Sequence, residues 1–380
     1  MHQINKQHPT ILIDALGIDQ PGGGRTAIYY LLLHIFPLRP EWNFVVYLSK
    51  AESEFSQFTN VRQVLWPVAK GLKSRLFVQL KMPIEVIRHH ANLVHFTKSQ
   101  GAFLFNTKKV LTLFDMTILK MPQMHSKSAV WFWRTIQPWM ARSSDAVVTL
   151  SHNAEQDIES DFHVPKNQIH VIYCSTQFDD DQLKIQLIQP EVLKKYGLNK
   201  PYFLFVGILA TKKNLTTLVK AFEILRKNDP DFPPLVLAGP YYPIAEDRQL
   251  LEALPRLEKE KIVQYIGVVG RDELPAIYHG ALAFLFPSIH EGFGIPCIEA
   301  MQCQTAVIAS RSSAIPEVVG DGGLLIDRCL DPSAWADAIA QLNGNKQIRR
   351  ELIEQGIHRL EYFSWKKSAS ALVEIYEKLI

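Results

Sequence analysis

Residues 284–301 read FLFPSIHEGFGIPCIEAM. An apolar strand, Ala283 to Phe286, breaks at Pro287 and Ser288 into a loop that carries Glu291, Gly292, Phe293 and Gly294. A helix starts near Pro296, whose missing N–H costs nothing in a first helical turn. Free backbone N–H groups and the positive end of a helix make an anion site, and glycines let a ligand approach the backbone closely. Glu291 and Glu299 bracket the helix start. The stretch therefore offers amides and two carboxylates to a molecule with both phosphate and hydroxyls, and a nucleotide-sugar meets that demand. Taken alone it is equally an ordinary strand–turn–helix of an α/β fold, with Glu299 a solvated helix carboxylate.

Outward from this stretch, the same alternation runs along the chain. Thr10–Leu16, Phe44–Leu48, Asn92–Phe96, Lys109–Asp115, Ala146–Ser151 and Ile169–Tyr173 read as short apolar strands with helical stretches between them. The polar segment 177–201 breaks the pattern and is the expected link. Strands resume at Tyr202–Gly207, Pro234–Gly239, Ile262–Gly267, Ala281–Pro287, Ala306–Ser310 and Gly322–Asp327. Alternating strands and helices predict parallel sheets covered on both faces.

Two further turns hold candidate residues. After the first strand come Gly22, Gly23 and Gly24, then the helix RTAIYYLLLHIF. This spacing is neither G-x-G-x-x-G nor a Walker loop, and a plain flexible turn explains it as well. After Gly207 the loop ILATKKN leads into a helix with Leu215, Leu218, Val219, Phe222 and Leu225 on one face. Asn214 is the expected N-cap. Lys212 and Lys213 precede that helix start, where lysines suit phosphate oxygens or form a solvated basic turn.

With 380 residues, two domains are expected. The 47% hydrophobic and 21% charged content is that of a folded soluble chain. The four cysteines lack CxxC spacing, which argues against a disulfide framework or zinc site. No apolar run is long enough to span a bilayer, and MHQINKQHPT lacks a signal-peptide core. The net charge of +3 is uneven: residues 62–142 hold 13 Lys and Arg against Glu85 and Asp115, so 13 − 2 = +11. Such a block predicts an anionic surface or ligand, and no nucleic-acid recognition motif accompanies it.

Several stretches together resemble the family 4 retaining glycosyltransferases of the GT-B fold. FVGILATKKNL is similar to the family's donor-phosphate loop, in a subgroup like bacterial mannosyltransferases. LPAIYHGALAFLFPSIHEGFGIPCIEAM carries its E-x7-E signature as Glu291 and Glu299. SSAIPEVVGDGGLLID, SDAVVTLSHNAEQDI and FSWKKSASALVEIYEKL resemble its later turn, the end of its first domain and its final helix. The resemblance implies an α/β GT-B fold: two Rossmann-like doubly wound domains facing across a cleft. They are expected at residues 1–190 and 191–364, with a helix at 365–380 returning to the first domain. It also implies site roles. Lys213, with Lys212 and Gly207, would hold the donor pyrophosphate. Glu299 would hold the ribose, while Glu291, Gly292, Phe293, Gly294 and Ile295 would hold the sugar. Residues 265–269 would flank the base. Gly22, Gly23, Gly24, Phe114 and Asp115 would face donor and acceptor from the first domain. The chain differs from the family at Phe114, where a histidine is usual, at Gln302–Val307 and at Cys174–Ser175.

The expected activity is therefore transfer of a hexose, mannose favoured, from a nucleotide-sugar with retention, using Lys213 and Glu291, no metal and no cofactor. GDP-mannose is the favoured donor. The basic stretches 71–90 and 131–142, the second carrying Trp131, Trp133 and Trp139, point to a lipid-linked glycan acceptor at an anionic membrane surface, the other reading being that these tryptophans are core or interdomain residues. The site would then be cytoplasmic or peripheral on the inner membrane face. A non-catalytic carbohydrate-binding or assembly subunit is the other reading, motivated by Phe114.

Overall fold

The structure, a computed structural model, describes the chain apart from residues 1–7, 17, 19–21, 67–71, 100, 102–104, 179, 199–200 and 242–247. The start of MHQINKQHPT, part of the basic block and residues 179 and 199–200 of the expected link thus lie outside the described residues. The chain divides into two compact units, Met1–Cys174 with Ser364–Ile380, and Ser175–Phe363.

Among the described residues, the first unit holds a seven-stranded parallel sheet. Its strands are β1 (Thr10–Asp14), β2 (Asn43–Leu48), β3 (Val61–Leu65), β4 (Leu93–Phe96), β5 (Lys108–Thr112), β6 (Ala146–Thr149) and β7 (Ile169–Val171), in the order β3-β2-β1-β4-β5-β6-β7. Side chains alternate between faces. Ile11, Ile13, Phe44 and Val46 join one apolar core, and Leu12, Val45, Tyr47 and Val94 join the other. Both faces are buried, which is why these strands read as continuous apolar runs. β3 was not legible in that way. VRQVL is a half-exposed edge strand, and its Arg62 and Gln63 break the apolar run.

The helix Trp365–Leu379 belongs to this first unit. It lies along the helix Gly23–Ile35, with Trp365 stacked on Tyr30 at 5.8 Å between ring centroids. Tyr376 reaches under the sheet, where its hydroxyl bonds His95 Nδ1 at 2.5 Å while His95 Nε2 bonds Thr112 at 2.8 Å. Burial pushes this imidazole down to about 3, so it is neutral and its two hydroxyl partners satisfy it.

The second unit holds a six-stranded parallel sheet among its described residues. Its strands are β8 (Phe203–Val206), β9 (Leu235–Ala238), β10 (Val263–Gly267), β11 (Ala283–Phe286), β12 (Val307–Ser310) and β13 (Leu324–Ile326), ordered β10-β9-β8-β11-β12-β13. The unit begins at Ser175 rather than at the expected residue 191. The segment read as a link contains the helices Asp180–Leu187 and Pro190–Lys195, which pack on the helix Leu274–Gly280. Val192 and Leu198 are buried there, so this polar stretch is part of the second unit's covering layer. Within the same segment the Asp180 carboxylate accepts from Gln302 Nε2 at 2.6 Å.

Candidate active site

In each sheet the strand order reverses once, between β1 and β4 and between β8 and β11. Loops leaving the carboxyl ends of strands at such a reversal diverge and leave a crevice for ligand. In the second unit those loops are the one carrying Lys212 and Lys213 and the one carrying Glu291.

The loop after β8 is held by its glycine and its asparagine. A β-carbon on Gly239, at φ 132°, would stand 2.1 Å from the Gly207 carbonyl oxygen, so only glycine lets the ends of β8 and β9 approach this closely. Thr211–Lys213 forms one tight helical turn and Asn214 follows in the left-handed region at φ 54°. The Asn214 side chain does not cap the helix Leu215–Asn228. It donates to the Cys329 carbonyl at 2.9 Å and accepts from the Thr217 hydroxyl at 2.7 Å. A left-handed backbone aims the side chain away from the helix N–H groups, which corrects the expected capping role. The helix is anchored instead by its buried face of Leu215, Leu218, Val219, Phe222 and Leu225.

The loop after β11 is tied to its neighbours. Ile289 N–H donates to the Lys212 carbonyl at 2.9 Å, and Glu291 N–H donates to Ser313 Oγ at 2.8 Å. Ser310 and Ser312 donate their hydroxyls to the carbonyls of Ser288 and Ile289. The loops after β8, β11 and β12 are therefore hydrogen-bonded into one rim. Phe293 is buried and its ring meets Phe363 edge-on at 5.5 Å. Gly294, at φ 119°, turns the chain into the helix Ile295–Gln302, in which Pro296 is the second residue.

This rim brings Lys212, Lys213 and Glu291 together. Lys213 Nζ lies 2.5 Å from Glu291 Oε1 and Lys212 Nζ lies 3.8 Å from Glu291 Oε2. Lys213 Nζ also stands 4.8 Å from the centre of the Phe286 ring. Burial penalises both charges. It lowers Lys213, against which Glu291 pulls. Burial also pushes Glu291 up, but the two lysines outweigh it and hold that carboxyl down at about 2. The site is thus a buried carboxylate held by two ammonium groups.

Glu299 stands in a separate cluster. It is buried rather than solvated, accepting from Gln177 Nε2 at 2.9 Å and from Tyr278 Oη at 3.1 Å. Burial raises its carboxyl to about 7, and these two donors and Arg271 only partly offset that. Gln177 and Tyr278 were not identified from sequence. Tyr278 lies inside a quoted motif, but nothing in its spacing marks it, and Gln177 is 122 residues from its partner. The first-domain candidates belong to the other unit. Gly22 precedes the helix that begins at Gly23, so Gly23 and Gly24 form its first turn instead of a free loop. Phe114 packs against Gly24 and the apolar core, and the Asp115 carboxylate accepts from Thr117 N–H at 2.9 Å.

Residues 189–359 match the family described as glycosyl transferases group 1, and residues 22–179 match glycosyltransferase family 4. The chain is 30% identical over 275 residues to the O-antigen chain mannosyltransferase B of Escherichia coli, across 72% of this chain and 71% of that protein. It is 26% identical over 252 residues to the serotype-specific mannosyltransferase WbdA of Escherichia coli, across 62% of this chain and 29% of WbdA. The solved structure of HepE from Anabaena with UDP and glucose superposes with a TM-score of 0.76 at 17% identity, covering 97% of this chain and 100% of that one. The chain belongs to the family 4 glycosyltransferases, and its two sheets have the GT-B fold.

Proposed function

We propose that the chain transfers mannose from GDP-mannose to a hydroxyl of a glycan or lipid-linked glycan in cell-surface polysaccharide synthesis. The transfer retains the anomeric configuration and uses no metal ion. The carrying observation is the buried Lys213–Glu291 pair beside Lys212, at the strand-order reversal of the second sheet. In the proposed reaction the two ammonium groups offset charge that develops on the leaving diphosphate, in a site where water screens little. Glu291, an anion that only accepts, takes hydrogen bonds from donor-sugar hydroxyls, and Glu299 takes those of the ribose. Gly207 and the amides of Gly292 to Gly294 line the donor, with Ile295 opening the helix behind it. Gly22, Gly23, Gly24, Phe114 and Asp115 form the acceptor-side surface of the first unit.

A retaining enzyme can use a carboxylate nucleophile. Glu291 is a poor one, because two lysines hold its lone pairs and keep it a weak base. That favours the route in which the leaving phosphate accepts the acceptor's proton on the same sugar face. Mannose is favoured because the similar O-antigen chain mannosyltransferase B and WbdA are both mannosyltransferases. A cytoplasmic site on the inner membrane face is supported by the basic block; no described helix is long and apolar enough to cross a bilayer.

The test is incubation with GDP-mannose and a lipid-linked glycan primer, with the product's anomeric configuration read by NMR. A retained linkage formed equally well in EDTA is expected. An inverted product, or activity restored only by a divalent cation, would overturn the mechanism. Transfer from a UDP-sugar but not from GDP-mannose would overturn the donor. Phe114 supports the alternative of a non-catalytic carbohydrate-binding subunit, which would release no GDP from any donor.

A further inference from the structure

The helix Leu72–His89 is apolar on two sides. Val78, Met82 and Val86 are buried in a core of the first unit. On the other side Leu80, Ile84 and Ile87 are 67%, 55% and 74% exposed. With 3.6 residues per turn, the spacing of four and then three places them within an arc of about 60°. A soluble surface scatters its exposed aliphatic residues singly, so an aligned stripe marks an interaction face.

The charges around the stripe identify the occupant. Lys81 and Arg88, both exposed, border it along one side. Among the described side chains of this helix the acid is Glu85, and it is turned inward. There it accepts from Tyr47 Oη at 3.1 Å and lies 3.2 Å from His89 Nε2, with Arg88 reaching it at 3.6 Å. The same unit exposes Trp131 (61%) and Trp139 (46%), in short helices that also present Arg134 and Arg142. Trp133, by contrast, is buried in the core.

We propose that this helix face is a membrane-docking surface. Leu80, Ile84 and Ile87 enter the acyl boundary of an anionic bilayer, while Lys81 and Arg88 meet lipid phosphates. A second copy of the chain seated on the same face would bring Lys81 and Arg88 against like charges. An anionic bilayer accepts the apolar stripe and the cations together. The proposal deepens the reading of a lipid-linked acceptor, and its readout does not depend on transfer.

The experiment is co-sedimentation with vesicles of equal parts phosphatidylcholine and phosphatidylglycerol, and with phosphatidylcholine alone. Wild type should favour the anionic vesicles. The variant L80Q/I84Q/I87Q, unchanged in charge, should bind them at least ~10-fold more weakly. K81Q/R88Q should bind more weakly and lose most of the salt dependence. Transfer to a short water-soluble glycan should be unchanged in the triple variant. Undiminished vesicle binding by the triple variant overturns the proposal. So does a wild-type dimer that the triple substitution dissolves while wild type ignores vesicles, which would make a second copy the occupant. Should the triple variant lose its helical circular dichroism, Ile84→Glu alone serves, and its undiminished binding is equally fatal. Vesicle binding without any mannosyl transfer would instead sink the enzymatic reading and leave the docking surface standing.

Discussion

Lys213 is the residue on which the proposed chemistry turns. It and Glu291 are each about nine-tenths buried, so removing one leaves the other an unpaired buried charge. Lys213→Ala should therefore cost about 3 kcal/mol of stability and roughly 100-fold in turnover. The double variant K213A/E291Q should recover much of the stability, because no lone carboxylate remains, but none of the turnover. Thermal melts and single-turnover assays separate the two effects. Recovered turnover in the double variant would reduce Lys213 to a structural role. Acid acts on the same pair. The folded-state value of Glu291 is depressed from 4.5 to about 2, so its stabilising contribution is complete above 4.5 and fades as pH falls towards 2.

Glu299 titrates the other way. Its folded-state value is raised from 4.5 to about 7, so between these values the folded protein holds a proton that the unfolded chain releases. As pH rises through about 7 it becomes a full anion and a better acceptor for hydroxyls. GDP itself titrates in this range, so the informative quantity is a ratio. The affinity advantage of wild type over Glu299→Gln, measured by calorimetry, should grow as pH rises through 7. A ratio independent of pH would separate Glu299 from the ribose.

At the scale of elements, the β8 and β9 ends depend on Gly239. Gly239→Ala would drive a methyl into the Gly207 carbonyl and also strain the backbone at φ 132°. A loss of about 2–4 kcal/mol is expected, together with weakened donor binding as the lysine loop shifts. Full stability in that variant would mean that the two turns are not locked together. The buried strands were legible because a strand covered on both faces must be apolar throughout. Edge strand β3 and the helices Asp180–Leu187 and Pro190–Lys195 were not, because one side of each faces water and dilutes the signal. Lys212, Lys213, Glu291 and Glu299 were legible as candidates from turn chemistry and resemblance. Their contacts were not, because Gln177–Glu299 and Lys213–Glu291 join residues far apart in sequence that only the folded unit brings together.

At the scale of the whole molecule, the two units differ in how the chain builds them. Ser175–Phe363 is one continuous segment, whereas the first unit needs Ser364–Ile380 as well. Deleting residues 364–380 should leave Tyr30, His95 and Trp42 without their partners Trp365 and Tyr376. The truncated chain should lose cooperative melting of the first unit while the second stays protected in hydrogen exchange. Two intact transitions after truncation would sink this expectation. The discontinuity also bears on synthesis. A chain leaving the ribosome presents the strands of the first sheet long before Tyr376 exists to satisfy His95, so that sheet waits incomplete. The second unit, made later, is whole as soon as Phe363 emerges and can finish first. The order of folding can then run opposite to the order of synthesis, against the usual N-terminal-first sequence. The waiting half, with apolar surface still uncovered, is where a chaperone would be most needed.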